Sequence, residues 1–111
     1  MEKCIFCNIV QNLIPSKKVF ESETILVIQD IAPKAPIHYL IIPKKHYINV
    51  SDLPLPNSSL PVDLFVTAQQ LSTIDRNHTQ YRLLINNGSQ VGQSVFHLHM
   101  HFLSGKFMND F

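Results

Sequence analysis

Polar and apolar residues alternate strictly in the segment His97-Leu98-His99-Met100-His101-Phe102. Successive side chains of a β-strand point to opposite faces of the sheet. A strand here would present three imidazoles on one face and bury Leu98, Met100 and Phe102 on the other. The alternation therefore predicts a strand over residues 96–103, and its histidine face is the first place to look for chemistry.

Four other segments are typical of strands. Residues 18–21 and 25–30 predict a hairpin, because two short apolar runs are separated by a polar turn. Residues 38–43 form a continuous apolar, β-branched run that prolines punctuate. Residues 81–86 predict one more strand shortly before the histidine segment.

Helical signals are fewer. Residues 5–12 are suited to a short helix or turn, and the proline-rich and serine-rich residues 51–61 predict a loop. From Val62 to about Ile74, the stripe Leu64, Phe65, Ala68, Leu71 has helical spacing. Short antiparallel strands with one or two helices indicate an α+β fold built on an antiparallel sheet.

The composition limits the classes of function. A chain of 111 residues with 45% hydrophobic and 15% charged residues predicts one domain, residues 1–111, around one core. With a net charge of +1 and no run of more than two basic residues, we expect no nucleic-acid partner. No apolar stretch has the length of a membrane span and no secretory signal is recognisable, so we expect a cytoplasmic location, reduced cysteines and no membrane partner.

A glycine-containing loop, residues 87–94, directly precedes the histidine segment. Gly88 and Gly92 can adopt backbone angles that other residues avoid, and such a turn can direct main-chain N–H groups at an anion. Ser94 adds a hydroxyl donor. Alone, this loop would be an ordinary hairpin turn. Beside three imidazoles it favours a phosphate site, although three imidazoles are also able to hold a metal ion.

The two cysteines form a C-x-x-C pair, Cys4-Ile5-Phe6-Cys7. Such a pair can bind zinc, perform redox chemistry or be incidental. The chain has no second pair, so histidines would have to complete a tetrahedral zinc site.

Several segments together carry a resemblance to a known family. The segment His97–Leu103 has three histidines alternating with apolar residues and followed by two more apolar positions. The sequence resembles the histidine triad family, in its Hint-like branch of nucleotide-binding hydrolases. The resemblance covers about residues 4–106, and the other matching segments, in order, are Asp30–His38, Ile42–His46, Asn86–Gly88 and Gly92–His97.

The resemblance implies a sheet of about five antiparallel strands that continues across a homodimer. It also implies a purine nucleotide-binding site and hydrolysis of nucleoside 5′-phosphoramidates of the AMP–amine type. His99 would attack the α-phosphorus and form a nucleotidyl-histidine intermediate. A neutral imidazole suits this role, because its ordinary pKa lies near neutral pH.

Further catalytic roles follow from the same resemblance. The backbone oxygen of His97 would hold the proton on the non-attacking nitrogen of His99. His101 would donate to the phosphate oxygens, and His38 would continue a hydrogen-bonded relay behind it. Ser94 would stabilise charge in the transition state or protonate the leaving amine.

The implied nucleotide-binding residues form three groups. Asp30 would accept both ribose hydroxyls, and Asn86 and Gln93 would position the phosphate and the leaving side. Gly92, Ser94, His99 and His101 would surround the phosphate. The residues that match the family's base-binding positions are apolar: Ile5, Phe6, Ile9, Ile28, Ile31.

The cysteine pair also gains a role from the resemblance. In zinc-bearing members of the wider family, such a pair joins two histidines, which here are His46 and the first triad histidine, His97. A structural zinc site at Cys4, Cys7, His46 and His97 is therefore expected, and no cofactor is expected for catalysis. The alternative is two buried free thiols and a surface His46.

Three other functions remain open from the sequence. A dinucleoside polyphosphate hydrolase would share the triad but favour a longer leaving group. A catalytically silent nucleotide-binding or scaffold protein would not need the nucleophile. A three-histidine metal enzyme would leave the glycine loop and Asp30 without a role. The chain has no tryptophan, whereas Hint-like relatives often have one in a longer tail.

Overall fold

Five antiparallel strands form one sheet in this computed structural model, which describes residues 4–74 and 79–110. The strands are β1 (Lys18–Glu21), β2 (Ile25–Gln29), β3 (Ile37–Pro43), β4 (Tyr81–Leu84) and β5 (Met100–Ser104), in the order β1-β2-β3-β5-β4. The helices are α1 (Ile5–Val10) and α2 (Leu60–Ile74). The expected α+β fold is confirmed.

Each face of the central strands is covered by a different helix. On one face, Ile25, Val27 and Ile41 belong to a core cluster with Leu64 and Leu71 of α2. Because side chains alternate along a strand, the residues between them face the other way. This second face packs against α1 through a separate apolar cluster: Phe6, Ile9, Leu26, Ile28, Leu40, Ile42.

The buried face of α2 matches the predicted apolar stripe at all positions but one. Leu64, Ala68 and Leu71 are buried as expected, but Phe65 is 60% exposed. Spacing of three and four residues defines a broad helix face, and Phe65 lies at the margin of that face, away from the sheet.

The histidine segment is only partly a strand. β5 begins at Met100, which pairs with Ile41 of β3, so residues 96–99 lie outside the sheet. The backbone N–H of Leu98 donates to the carbonyl oxygen of Tyr47 at 2.6 Å. The prediction of a strand over residues 96–103 is therefore wrong for its first four residues, because a loop carbonyl replaces the ladder partner. Leu98, Met100 and Phe102 are nevertheless buried in the α2-side core, as predicted.

Neither α1 nor α2, the helices of the described ranges, is long and apolar enough to cross a membrane. His78, expected to be an exposed loop residue, lies outside the described residues.

Candidate active site and metal cluster

A cavity of about 1240 Å³ lies on the α1 side of the sheet. Its walls come from α1, from β2 and the turn after it, from the glycine loop, from β4 and β5, and from residues 106–110 at the end of the described chain. It brings together nearly all of the predicted nucleotide-binding residues and His38. Those that line it are Ile5, Phe6, Ile9, Ile28, Asp30, Ile31, His38, Asn86, Gly92, Ser94, His99, His101.

The strand register explains why two of the histidines meet. Leu40 of β3 pairs with His101 of β5, and His38 pairs with Leu103. His38 and His101 are therefore diagonal neighbours on one face of an antiparallel pair, a separation that long or aromatic side chains can bridge. Their ring nitrogens, Nε2 of His38 and Nδ1 of His101, lie 2.8 Å apart.

A backbone donor determines which nitrogens of this pair carry protons. The N–H of Lys34 donates to Nδ1 of His38 at 3.0 Å, so a neutral His38 carries its proton on Nε2. That proton is directed at Nδ1 of His101, with Asp30 Oδ2 as a longer second acceptor at 3.4 Å. His101 must then carry its own proton on Nε2. Sequence analysis could not identify the part that Lys34 plays, since only its main chain takes part.

His99 has the opposite arrangement. Its Nδ1 donates to the backbone oxygen of His97 at 2.7 Å, which leaves the lone pair on Nε2. The rings of His99 and His101 are 5.1 Å apart, centre to centre. Next to each other, the two imidazoles therefore offer one nucleophilic nitrogen and one N–H donor.

Burial keeps these imidazoles neutral. It lowers the pKa of His99 and of His38 below the ordinary value. Burial, followed by the neighbouring His99 and His38, lowers the pKa of His101 to about 4. At neutral pH the site therefore holds uncharged rings, as a nucleophile requires.

The glycine loop holds its shape through a buried glutamine. Gly88 and Gly92 have φ of 114° and 107°, values that L side chains rarely adopt. Oε1 of Gln93 accepts the N–H of Gly88 at 2.8 Å, and its Nε2 donates to the carbonyl oxygens of Ile48 and Val95 at 2.7 and 3.1 Å.

Gln93 is only 4% exposed and does not line the cavity. Both of its amide hydrogens are donated to carbonyl oxygens outside the loop, so the predicted role of Gln93 in positioning the phosphate would be exerted through the shape of the loop. Ser94, the next residue, is exposed at the cavity wall.

The predicted base-binding residues differ in exposure. Phe6, Ile9 and Ile28 are buried, Ile5 is 43% exposed, and Ile31 is 99% exposed at the cavity mouth. The first three form a preformed apolar wall. Ile31 is a large apolar side chain on the cavity wall that is left open to solvent.

His97 does not share the cavity with the other two triad histidines. Its ring is fully buried, and its Nε2 donates to the carbonyl oxygen of Pro43 at 2.7 Å. Nδ1 therefore carries a lone pair, which is directed at Cys4 Sγ, 3.3 Å away, and Cys7 Sγ, 3.6 Å away. The three imidazoles do lie on one side of the chain, the α1 side, as predicted, because Phe6 packs against His97 and His99 and the rings of His99 and His101 are neighbours. The ring of His97 is turned toward the cysteines, however, and does not line the cavity. Among the described residues, the three triad imidazoles do not form a metal-ligating group, because the ring nitrogens of His97 face the carbonyl oxygen of Pro43 and the cysteines.

Four metal-ligating groups meet at this point. Nδ1 of His46 lies 3.3 Å from Cys7 Sγ and 3.2 Å from His97 Nδ1, and the donor atoms of His46, His97, Cys4 and Cys7 all lie within 4.8 Å of one another. Both cysteines are free thiols. Below, these four residues are called the Cys–His cluster.

The donor atoms of the Cys–His cluster fit a zinc ion. With the usual zinc–sulfur and zinc–nitrogen bond lengths, the edges of a coordination tetrahedron would measure about 3.3–3.8 Å. The sulfur–nitrogen and nitrogen–nitrogen distances of 3.2–3.6 Å are close to these values. Burial raises the pKa of Cys7 to about 11 and lowers that of His97 to about 4, so without metal these two donors are uncharged at neutral pH.

Residues 106–110 pass along the cavity wall and are held by Arg82 of β4. Nη1 of Arg82 donates to the carbonyl oxygen of Asp110 at 2.6 Å, and Nη2 contacts that of Met108 at 3.5 Å. Phe107, which precedes both points in the chain and lines the cavity, is 87% exposed. Below, residues 106–110 are called the tail.

Comparison with known proteins agrees with this geometry. The family model for the HIT domain matches residues 11–108. The chain belongs to the HIT domain family. A HIT-like protein of Chlamydia pneumoniae is 41% identical over 102 residues, which span 92% of this chain and 93% of the relative.

Solved structures of HIT proteins share the whole fold. A HIT family hydrolase from Clostridium thermocellum superposes with a TM-score of 0.92 at 39% identity, covering 99% of this chain and 96% of its own. A zinc-bound histidine triad family protein from Mycobacterium smegmatis gives a TM-score of 0.85 at 29% identity, covering 95% of this chain and 76% of its own. This HIT protein therefore has hydrolases among its structural relatives.

Proposed function

We propose that this HIT protein hydrolyses purine nucleoside 5′-phosphoramidates through a nucleotidyl intermediate on His99. The observation that carries the proposal is the hydrogen bond from His99 Nδ1 to the His97 oxygen, which leaves a neutral, nucleophilic Nε2 at the cavity. The hydrolases among its relatives support the reaction class.

The reaction would take place in two displacements. In the first, Nε2 of His99 forms a bond to the α-phosphorus as the phosphorus–nitrogen bond breaks, and the amine leaves with a proton from Ser94 or solvent. In the second, water attacks the same phosphorus as the bond from phosphorus to Nε2 of His99 breaks. The proton of the attacking water goes to Ser94 or solvent, and the nucleoside monophosphate and neutral His99 are released. The Nε2–H of His101 would hydrogen-bond a phosphoryl oxygen throughout and stabilise the added charge.

The remaining cavity residues would bind the nucleoside. Phe6, Ile9 and Ile28 would pack against the base, and Ile31 would cover it at the mouth. Asp30 already accepts the Ala32 N–H at Oδ1, and its other lone pairs would accept ribose hydroxyls. Binding of AMP should therefore be tighter than binding of deoxy-AMP, and Asp30→Asn should reduce the difference.

The Cys–His cluster would hold a structural zinc ion, as its donor set fits and a zinc-bound relative shares the fold. Zinc would bind thiolates and neutral imidazoles there and tie α1 to the loop that carries His97. Metal analysis of protein purified without added zinc should give about one zinc per chain; a value near zero contradicts this assignment.

A homodimer is also proposed. β4 is an edge strand, so its outer backbone groups are available to continue the sheet into a second copy. The helix α2 exposes Val62, Phe65 and Val66, which lie three and four residues apart and so form one apolar patch of the kind that subunit interfaces cover. Sedimentation equilibrium should give twice the chain mass of 12.7 kDa.

One observation favours a second candidate, a dinucleoside polyphosphate hydrolase. The cavity is lined by four cationic residues but only two acidic ones, Asp30 and Asp110. An excess of cations suits a leaving group with several phosphates. The four cations are Lys17, Lys34, Arg82 and Lys106.

The test is to mix the protein briefly with adenosine 5′-phosphoramidate and record both intact mass and AMP release. The parent should release AMP and show a transient nucleotidyl adduct, and His99→Ala should do neither while still binding AMP. Diadenosine tetraphosphate in a parallel reaction tests the second candidate. Tight AMP binding without turnover of either compound would contradict both hydrolase assignments.

A further inference from the structure

The short helix α1 contributes to two different sites. Cys4, its N-cap residue, and Cys7 direct their sulfur atoms into the Cys–His cluster. Phe6 and Ile9, on the same helix of six residues, line the cavity. A helix this short moves as one body, so any change in how the cysteines are held also moves the cavity wall.

His97 forms a second link between the two sites. Its Nδ1 belongs to the Cys–His cluster, and its backbone oxygen accepts the Nδ1 proton of His99 at 2.7 Å. The position of this single residue therefore determines both a ligand of the cluster and the orientation of the proposed nucleophile.

Phe6 closes the connection between the helix and the histidines. Its ring packs edge-on against His97, with centroids 5.8 Å apart and an interplanar angle of 75°. It packs in the same way against His99, at 5.1 Å and 84°. Edge-to-face packing of this kind has a preferred geometry. A shift of α1 would therefore be transmitted to the ring of His99.

We propose that Phe6 and His97 couple the Cys–His cluster to the nucleotide site, so that zinc in the cluster strengthens nucleotide binding. By thermodynamic linkage, nucleotide then strengthens zinc binding by the same factor. The inference rests on the proposed nucleotide site and zinc site. Phe6 is a positioning residue in this account, since it acts on the ring of His99 and through α1.

The coupling can be measured on the unmodified protein. Calorimetry gives the Kd for AMP with the cluster loaded with zinc and after zinc removal. Competition with a colorimetric chelator gives the Kd for zinc with and without saturating AMP. Both ratios should be equal, at about tenfold, within the range usual for coupled sites. Ratios of one in both directions would overturn the proposal.

Variants separate the coupling from simple binding. Phe6→Leu keeps an apolar wall but removes the ring, so both ligands should still bind while the coupling ratio falls toward one. Ile9→Leu, on the same helix and cavity wall, is the matched control and should keep the ratio. An undiminished ratio in Phe6→Leu would overturn the role of the ring. The double variant Cys4→Ser/Cys7→Ser should bind AMP with the affinity of zinc-free protein, whether or not zinc is added.

The coupling between the two sites can still be tested if removal of zinc unfolds the chain. In that case the rate at which the chelator extracts zinc from loaded protein is compared with and without AMP. Slower extraction in the parent but not in Phe6→Leu supports the coupling, and an unchanged rate in the parent refutes it. If zinc-loaded protein does not bind AMP at all, the proposed function is refuted. If the protein does not bind zinc, the zinc site is refuted. Either result would also refute the coupling.

Discussion

Nε2 of His38 lies 2.8 Å from Nδ1 of His101, and the bond between them has a defined direction. The backbone N–H of Lys34 occupies the other nitrogen of His38 at 3.0 Å, so His38 is the donor and His101 the acceptor. His101 is therefore held in the tautomer with its proton on Nε2. The main-chain N–H of Lys34, on the turn after β2, thus sets the tautomer of His101, which lies two strands away in the sheet.

The first prediction concerns this tautomer. His38→Leu removes the donor to His101, which is then free to place its proton on Nδ1 and lose its donor toward the phosphate. Because one donor to a developing oxyanion is worth about 10²–10³ in rate, kcat for adenosine phosphoramidate should fall by about that factor. KM should change little, as measured by steady-state kinetics.

His38→Gln serves as the matched control for this prediction. Its amide nitrogen can reach the position of Nε2 and donate to His101, so it should restore much of the lost kcat. Equal losses in the Leu and Gln variants would show that His38 acts only by packing.

The second prediction is a dependence of stability on pH through His101. Burial lowers its folded-state pKa to about 4 from an ordinary value of 6.5. Between these two values, the unfolded chain binds a proton that the folded chain does not. Stability therefore rises with pH across this window and is lost as pH falls from 6.5 toward 4.

The size of this effect can be isolated by substitution. From pH 7.5 to pH 5, the contribution of His101 should decrease by about 2 kcal/mol, at about 1.4 kcal/mol per pH unit below its ordinary pKa. Urea unfolding of the parent and of His101→Gln at both pH values measures it. The variant should lose less stability than the parent, and identical losses would contradict the burial of a neutral imidazole.

The sequence predicted the fold well because its strand segments are short, apolar and punctuated by prolines. The residues that line the cavity were also predicted, but only from the resemblance to a known family. Without that resemblance, apolar residues such as Ile28 and Ile31 would be taken for ordinary core residues. The separation of His97 from His99 could not be predicted from alternation. It depends on the carbonyl of Tyr47, which takes the Leu98 N–H and ends the strand early.

The third prediction follows from the buried amide of Gln93. Gln93→Ala leaves the Gly88 N–H and two carbonyl oxygens without their partner, at a cost of about 2–3 kcal/mol. The Tm should fall by about 10 °C, given the usual relation for a domain of this size. Gln90→Ala, an exposed glutamine of the same loop, is the control and should leave Tm unchanged. Lost AMP affinity at an unchanged Tm would instead indicate a direct contact with phosphate.

The last prediction concerns the attachment of the tail to Arg82. Arg82→Ala removes the donors to the carbonyl oxygens of Asp110 and Met108, so the tail should leave the cavity wall more often. Since a hydrogen bond from a charged group at a partly exposed site is worth about 1 kcal/mol, trypsin should cleave after Lys106 about fivefold faster. Intact mass against time measures the rate.

Two comparisons make the tail experiment specific. Lys45→Ala, which removes an exposed cation that does not line the cavity, should leave the cleavage rate unchanged. In Arg82→Ala, the KM for substrates with bulky leaving amines should change, while the Kd for AMP stays constant. This split is expected because the tail lines the β4 end of the cavity, whereas Phe6 and Asp30 lie at the end formed by α1 and β2. Faster cleavage without any change in KM would mean that the tail does not border the leaving group.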